Sequence, residues 1–380
     1  MMFSQPPHTS MHQDPAPAIG FIVHPQSANR FPTNPCHFVI GAVMAVMAAG
    51  SGLGSAEDHP VIRWAGQAMG SPYTVQIVDA KMDNLQVAGL KAEVEQRLKD
   101  LNQQISHYLS DSEISKFNHG PANQAFKLAP DLLRLMKFSL DLNRQSQGSW
   151  DPTLGPVISL WGFGEKTEKH AIPPEAELKA ALKLTGCQHL KLTDSGELIK
   201  DIPELSLNLS SSAKGFVTDE IVKLLGTHGL TNVYVAMAGD LAVRGHSPRG
   251  VKWQVGIALP MENWKENNPM ATAVSLTNQA ISTSGDNEKF FKDAQGRRLG
   301  HIFDPKTGWP VQHDVASVSV VGPDSMTAGA TATTLFVLGQ EAGLKYIEAR
   351  PTMAALFIVR EGEDKFRQVP SSRFAEMTKP

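Results

Sequence analysis

The sequence predicts an α+β fold, and three observations carry that prediction. Segments of helical and of strand period are mixed without the strict alternation that a doubly wound parallel sheet requires. Neither a repeat of roughly 20–50 residues nor a long linker divides them, so they read as one unit. Of the 380 residues, 41% are hydrophobic and 19% charged, which excludes a disordered chain and allows a sizeable core.

The elements follow in order. Tyr73–Val78 alternates polar and apolar residues, as a strand covered on one face does. Val87–Ile105 repeats Val, Leu and Ile at three- and four-residue steps, the stripe of an amphipathic helix. Pro130–Gln147 opens on a proline and has Gly148 just past its end, the usual helix punctuation. Glu175–Leu184 is a short helix after two prolines, and Ala213–Leu225 a longer one out of a serine-rich turn. Strands are expected at Val233–Met237, Trp253–Ile257, Ala273–Leu276 and Val315–Val321. Helices at Met326–Leu338 and Glu341–Ile347 precede a closing strand, Ala354–Arg360.

Residues 1–56 differ in kind. Met1–Asn34 is rich in Pro, His, Gln and Asn without an apolar period, so no fold is expected there. Phe38–Gly50 is uncharged and apolar, but shorter than the roughly 20 residues a spanning helix needs. It has the length of a signal-peptide core, and Gly54-Ser55-Ala56 supplies small residues for cleavage. A short buried helix is the competing reading. On the first reading, residues 1–56 are a disordered leader with a signal peptide and residues 57–380 are the working domain of an exported protein. Cys36 precedes the apolar run, which argues against a lipoprotein anchor, and Cys187 reads as a small buried residue. The net charge of −3, with no basic stripe, speaks against nucleic acid as a partner.

Five blocks hold more polar, glycine-rich or charged character than a plain core needs. Met69-Gly70-Ser71 is a turn ahead of the first strand. In His107–Asn118, Ser110 can cap a short helix with Glu113 three residues on, and Tyr108 can stack on a planar ligand. Gly148–Gly164 has too many glycines and prolines for a long helix or regular strand. Its aromatics and Asp151 suit either a pocket wall around a ring system or a packed surface loop. Leu207–Phe216 opens a helix with three serines whose free N–H groups suit phosphate oxygens. Lys214 in its first turn opposes the helix dipole, which points to a bound anion. The last block joins Ser284-Gly285-Asp286, His301–Gly308 and the hydroxyl-rich helix start Asp324–Thr334, with His301 three residues from Asp304.

Taken in this order, the blocks resemble the flavin transferase (ApbE) family, the FAD:protein FMN transferases, over about Val61 to Arg360. The parts that carry the resemblance are MGSPY, SDSEISKFN, DPTLGPVISLWGFG, AKGF followed by Asp219, TSGD, HIFDPKTGWPV and the segment MTA-x-A-x-A-T. The resemblance implies an α+β fold related to the T-fold, with a mainly antiparallel sheet. It also implies FAD as substrate, a magnesium ion beside its pyrophosphate, and transfer of FMN to a threonine of an acceptor protein with release of AMP. The implied acceptor is a membrane-bound electron-transport subunit, and the implied place is the periplasm or the outer face of the inner membrane.

Carried over position by position, Met69, Tyr108, Ser149, Trp150, Asp151, Asn208, Lys214 and Ile302 would line the flavin site. Ser211 would offer the metal its carbonyl, Thr333 a side-chain oxygen, and His301 would be the base that activates the acceptor hydroxyl. Two positions depart from the family pattern. The metal helix of the family reads M-x-A-D-A where this chain has Gly329, and D-L-G becomes Asn208-Leu209-Ser210. Magnesium is usually held through one or two carboxylates, so Asp324, Asp286 and Asp304 are the candidates to substitute. The departures leave open a flavin-binding protein with weak or no transferase activity, or an FAD pyrophosphatase. Asp324–Thr331 itself resembles the acceptor motif of such enzymes, with Ala328 inserted.

Overall fold

The computed structural model describes residues 43–44, 59–164, 170–262, 269–362 and 364–378. The expected leader lies outside these residues, apart from Val43–Met44, which pair antiparallel with Ile257 and Gly256.

Eight strands form one antiparallel sheet whose spatial order is its chain order. They are β1 (Val61–Ala68), β2 (Ser71–Val78), β3 (Val233–Met237), β4 (Asp240–Arg244), β5 (Gln279–Gly285), β6 (Val315–Gly322), β7 (Ala354–Gly362) and β8 (Lys365–Pro370). Helices α1 (Asn84–Ile105), α2 (Glu113–His119), α3 (Pro130–Gln145), α4 (Gly155–Leu160), α5 (Glu175–Leu182) and α6 (Ser210–Thr227) lie between β2 and β3. Helix α7 (Ser325–Glu348) joins β6 to β7, and α8 (Ser372–Met377) ends the chain. The predicted α+β class and mainly antiparallel sheet are therefore found.

Alternation of side chains decides which layer each strand residue feeds. Val233, Val235 and Met237 of β3 meet Leu98, Leu101 and Phe216 in a core with α1, α3 and α6. On β7, Ala355, Phe357 and Val359 pack with Leu335 and Phe336 of α7. The opposite face takes Tyr234, Leu241, Val243, Ile281 and Leu356, covered by the hairpin Trp253–Ala258/Met270–Leu276 and by Phe374 of α8. With both faces covered, the sheet is the middle of three layers. Among the described residues, no helix is long and apolar enough to cross a membrane.

The two expected C-terminal helices are found as the two arms of α7, parted at Gly339, whose φ of 75° and ψ of −177° no helix admits. Other expectations need correction. The cap of α2 is Ser112, whose hydroxyl accepts Ser115 N–H at 3.1 Å, and not Ser110. Glu113 begins that helix instead of closing a capping box, and its carboxylate accepts the Ala129 N–H at 2.6 Å. Cys187 is half-buried in a 3-10 turn, and burial pushes its thiol up, so it is inert at neutral pH.

Four charges pin the helical layer. Arg97 of α1 donates to Asp131 of α3 at 2.7 and 2.9 Å and to Glu220 of α6, while Arg134 bridges Asp131 at 3.0 Å and Glu220 at 2.6 Å. Glu220 is buried, so Glu220→Gln strands part of two guanidinium groups. Chemical denaturation should show a loss of roughly 2–3 kcal/mol, and a loss below 0.5 kcal/mol would mean the network is ornamental.

Candidate active site

The site is built where β4 and β5 turn a polar stripe toward the N-terminal ends of α6 and α7. A two-residue hairpin, Ala238 (φ 49°) and Gly239 (φ 93°), pairs Met237 with Asp240 and so fixes where β4 begins. Asp240 and Ser282 are cross-strand partners, so their side chains lie on one face, and Ser284 follows two residues on. Ala242, two residues after Asp240, belongs to the helical core, so this is the helix-facing side of the sheet.

Two close approaches bring the helices onto that stripe. A Cβ on Gly215 of α6 would lie 2.4 Å from the carbonyl oxygen of Ser325 at the start of α7. The same crossing is tied by Asp219, which accepts the N–H groups of Ser325 at 2.8 Å and Met326 at 2.9 Å. AKGF and the following aspartate are thus a helix-crossing device. At Gly329 on α7, a Cβ would sit 3.0 Å from Asp240 Oδ1, 3.3 Å from the Ser211 carbonyl oxygen and 3.5 Å from Ser282 Oγ. One turn on, the Thr333 hydroxyl meets Ser284 Oγ at 2.9 Å and donates to the Gly329 carbonyl at 3.3 Å.

The expected metal contributors, Ser211 and Thr333, therefore converge, and the carboxylate beside them comes from Asp240. The three carboxylates considered as substitutes are engaged elsewhere. Asp324 caps α7 through Thr327 N–H at 2.7 Å, Asp286 pairs with Arg360, and Asp304 holds the turn through Lys306 N–H at 2.9 Å. Asp240 retains some accessible surface, yet protein crowds it enough that desolvation raises its pKa to about 6, against the Ser282 hydrogen bond and the charge of Lys214. Carbonyl, hydroxyl and carboxylate oxygens are the hard donors that suit magnesium, so this set fits that ion.

A basic group lies alongside. Lys214 acts electrostatically on Asp240, Lys289 and His301. Burial, and then repulsion from Lys214, lowers the pKa of Lys289. Burial followed by the charge of Lys289 depresses both His107 and His301 to about 4, so both rings are neutral at pH 7. His301 Nδ1 lies 3.2 Å from the Lys289 carbonyl oxygen. A carbonyl only accepts, so Nδ1 carries the proton and Nε2 the free lone pair. Two lysines beside two neutral imidazoles make a cationic site of the kind a pyrophosphate fills.

The remaining predicted residues fall into two groups. Met69 (φ 51°) and Gly70 (φ 67°) form the β1–β2 hairpin, and the ring of Tyr108, 53% exposed, lies tilted against that of His107 with centroids 4.1 Å apart. Ile302 is buried next to His301 in the core under α7. The other group is structural in its contacts. Ser149 is buried. The Trp150 ring is only 3% exposed and donates its indole N–H to Ser211 Oγ at 2.9 Å, bracing the first turn of α6, which carries the Ser211 carbonyl. Asp151 accepts from Thr153 N–H at 2.8 Å and Thr153 Oγ1 at 2.6 Å, with its pKa raised by burial. Asn208 takes the Ser210 N–H at 3.1 Å at the mouth of α6. Thr331, of the acceptor-like segment, is 2% exposed with its hydroxyl on Met353, so it cannot be an acceptor in the folded chain.

A family model described as the ApbE family matches residues 69–357. The chain belongs to the ApbE family. A Vibrio cholerae protein named FAD:protein FMN transferase is 34% identical over 319 residues, 82% of this chain and 91% of that protein. Its namesake from Haemophilus influenzae is 32% identical over 90% of this chain and 98% of its own. Among solved structures, the apo form of the Pseudomonas stutzeri flavinyl transferase ApbE superposes with a TM-score of 0.76 at 34% identity, over 84% of this chain and 97% of that one.

The sequence reading missed Asp240 and Lys289. Asp240 carries a weak signal of its own, a carboxylate directly after a glycine turn at the start of a short strand. Lys289 follows TSGD by three residues in a loop whose path only the folded sheet reveals.

Proposed function

We propose that the chain is an FAD:protein FMN transferase, moving FMN from FAD to a threonine hydroxyl of an acceptor protein with release of AMP. The observation that supports it most directly is that Lys214, close enough to act on Lys289 and His301, also acts on Asp240, which lies with the Ser211 carbonyl around Gly329. Family membership and the names of the relatives supply the substrate.

Lys214 and Lys289 hold the pyrophosphate of FAD, and Tyr108 and Met69 stand where the flavin ring can be covered. His301 Nε2 takes the proton of the threonine hydroxyl as its oxygen forms the new bond to phosphorus. The bond from that phosphorus to the AMP oxygen breaks, and AMP leaves with the electron pair. A magnesium ion held by Asp240, Ser211 and Thr333 would offset charge on the phosphates. The leader reading supports export, with a membrane-bound redox subunit facing the periplasm as acceptor.

His301→Ala should lower FMN transfer to a threonine peptide by about 10²–10⁴-fold, read as fluorescent product, with FAD affinity unchanged. Transfer that survives this change would remove His301 as base. The pH dependence has a definite sign. In the free enzyme the depressed pKa keeps His301 basic down to about pH 4, so His301 sets no limit on kcat/KM above that pH when saturating Mg²⁺ keeps Asp240 ionised. Bound phosphates stabilise the imidazolium and raise that pKa, so the acidic limb of kcat should lie at higher pH than that of kcat/KM. Coincident limbs would contradict the placement of His301 beside the pyrophosphate.

A further inference from the structure

We propose that His59, Asp79 and His246 form a second metal site, for one zinc-class divalent cation, at the end of the sheet away from the transferase centre. One ligand atom from each of the three lies within 4.8 Å of the others. His59 Nδ1 is 2.7 Å from Asp79 Oδ1, His246 Nε2 is 3.3 Å from Asp79 Oδ2, and the two rings are 4.9 Å apart. Two imidazoles and one carboxylate are the ligand types of three-residue zinc sites, which leave a fourth position for water.

The His246 tautomer calls for positive charge at this contact and not for a neutral hydrogen bond. His246 Nδ1 is 3.0 Å from the Ser247 carbonyl oxygen, which can only accept. Nδ1 therefore carries the proton, and a neutral His246 turns the bare lone pair of Nε2 toward the Asp79 carboxylate. Two electron-rich atoms face each other at 3.3 Å unless the ring is charged or a cation lies between them. A backbone carbonyl on the far nitrogen is also how metal-binding histidines are commonly oriented.

The three residues come from loops already held in place. His59 N–H donates to the Pro248 carbonyl at 2.8 Å, Asp79 N–H to the Pro60 carbonyl at 3.0 Å, and His246 N–H to Asn232 Oδ1 at 3.3 Å. Asp79 sits in the left-handed region at φ 63°, a conformation that surrounding contacts must enforce in a non-glycine residue. The site joins the entry to β1 with the ends of β2 and β4. Asp240 begins β4 and Arg244 ends it, roughly 13 Å away at 3.3 Å per residue. The cation would clip the N-terminal entry of the domain to its sheet and leave the transferase centre untouched.

The test uses the full chain stripped with EDTA and titrated with Zn²⁺ against a chromophoric chelator. One tight equivalent and a raised melting temperature are expected. Co²⁺ should give the intense visible bands of a four-coordinate nitrogen–oxygen site, a readout that needs no variant. His246→Ala and His59→Ala should each weaken Zn²⁺ binding more than the roughly 10–100-fold that follows loss of an orienting partner. Magnesium-supported FMN transfer should be unchanged in both. His8, His12, His24 and His37 of the leader remain in these variants, so equal zinc binding by wild type and His246→Ala would assign the metal elsewhere and overturn the site. Wild type that takes up no stoichiometric Zn²⁺ and shows no Co²⁺ bands would overturn it as well.

Discussion

Asp240→Asn should weaken Mg²⁺ or Mn²⁺ binding, followed by Mn²⁺ electron paramagnetic resonance, by about 100-fold or more and lower FMN transfer in parallel. Asp240 is the carboxylate beside the Ser211 carbonyl and the bare face of Gly329, so its loss leaves a divalent cation only neutral oxygens. Stability should move the other way. The pKa of Asp240 in the fold, about 6, lies above its ordinary value of 3.8, so the folded state disfavours the charge. That penalty grows as pH rises from about 4 to 6 and is complete above 6. Asparagine removes it, and the melting temperature at pH 7 should hold or rise, by an amount equivalent to roughly 1–3 kcal/mol. Less activity with more stability is the signature of a group kept for function and not for folding.

Gly329→Asp discriminates further. Alone it places a second carboxylate against the first, its Cβ 3.0 Å from Asp240 Oδ1, and should gain little. Combined with Asp240→Asn it returns one charge to the same space, and metal binding should recover toward wild type. Failure of the double variant to recover any metal binding would mean that the two positions do not share a site.

The second large effect is on the fold. In Gly215→Ala the new methyl would meet the carbonyl oxygen of Ser325 at 2.4 Å and the amide nitrogen of Met326 at 2.7 Å, both backbone atoms. Neither helix can yield locally, so α6 and α7 must separate, at a cost of roughly 2–4 kcal/mol in denaturant. Separation also draws the Ser211 carbonyl away from Gly329, so metal affinity should fall even in the folded fraction. A variant with wild-type stability would show that the crossing is looser than these distances state.

Legibility in the sequence followed the range of the interaction. Periodic segments such as Val87–Ile105 and Val233–Met237 were readable because their pattern is local. The kink at Gly339 divides α7 where the sequence places two helices, since a glycine at positive φ interrupts a helical stripe without ending it. Strands β4 and β5 escaped because Asp240, Ser282 and Ser284 put polar residues on the helix-facing side, where a strand pattern expects apolar ones. Ser112 took the cap from Ser110 because Glu113 is drawn off to Ala129, a tertiary contact.

The site divides in the same way. Lys214 and His301 announce themselves, one as a cation in the first turn of a helix and the other inside a motif. Asp240 does not, because its importance comes from three separations: to Ser282 across a strand pair, to Ser211 at a helix mouth, and to Gly329 on another helix. The missing aspartate of α7 reads in the sequence as a lost ligand, and in the fold as a space that a strand carboxylate borders.

The most direct test of the account is to count both products of one reaction. Purified protein is mixed with FAD, Mg²⁺ and a threonine acceptor peptide, and AMP and FMN-peptide are quantified together by mass spectrometry. One AMP for each FMN-peptide is the predicted result. AMP with free FMN and no adduct would make the chain an FAD pyrophosphatase, and bound FAD with neither product would leave a flavin-binding protein.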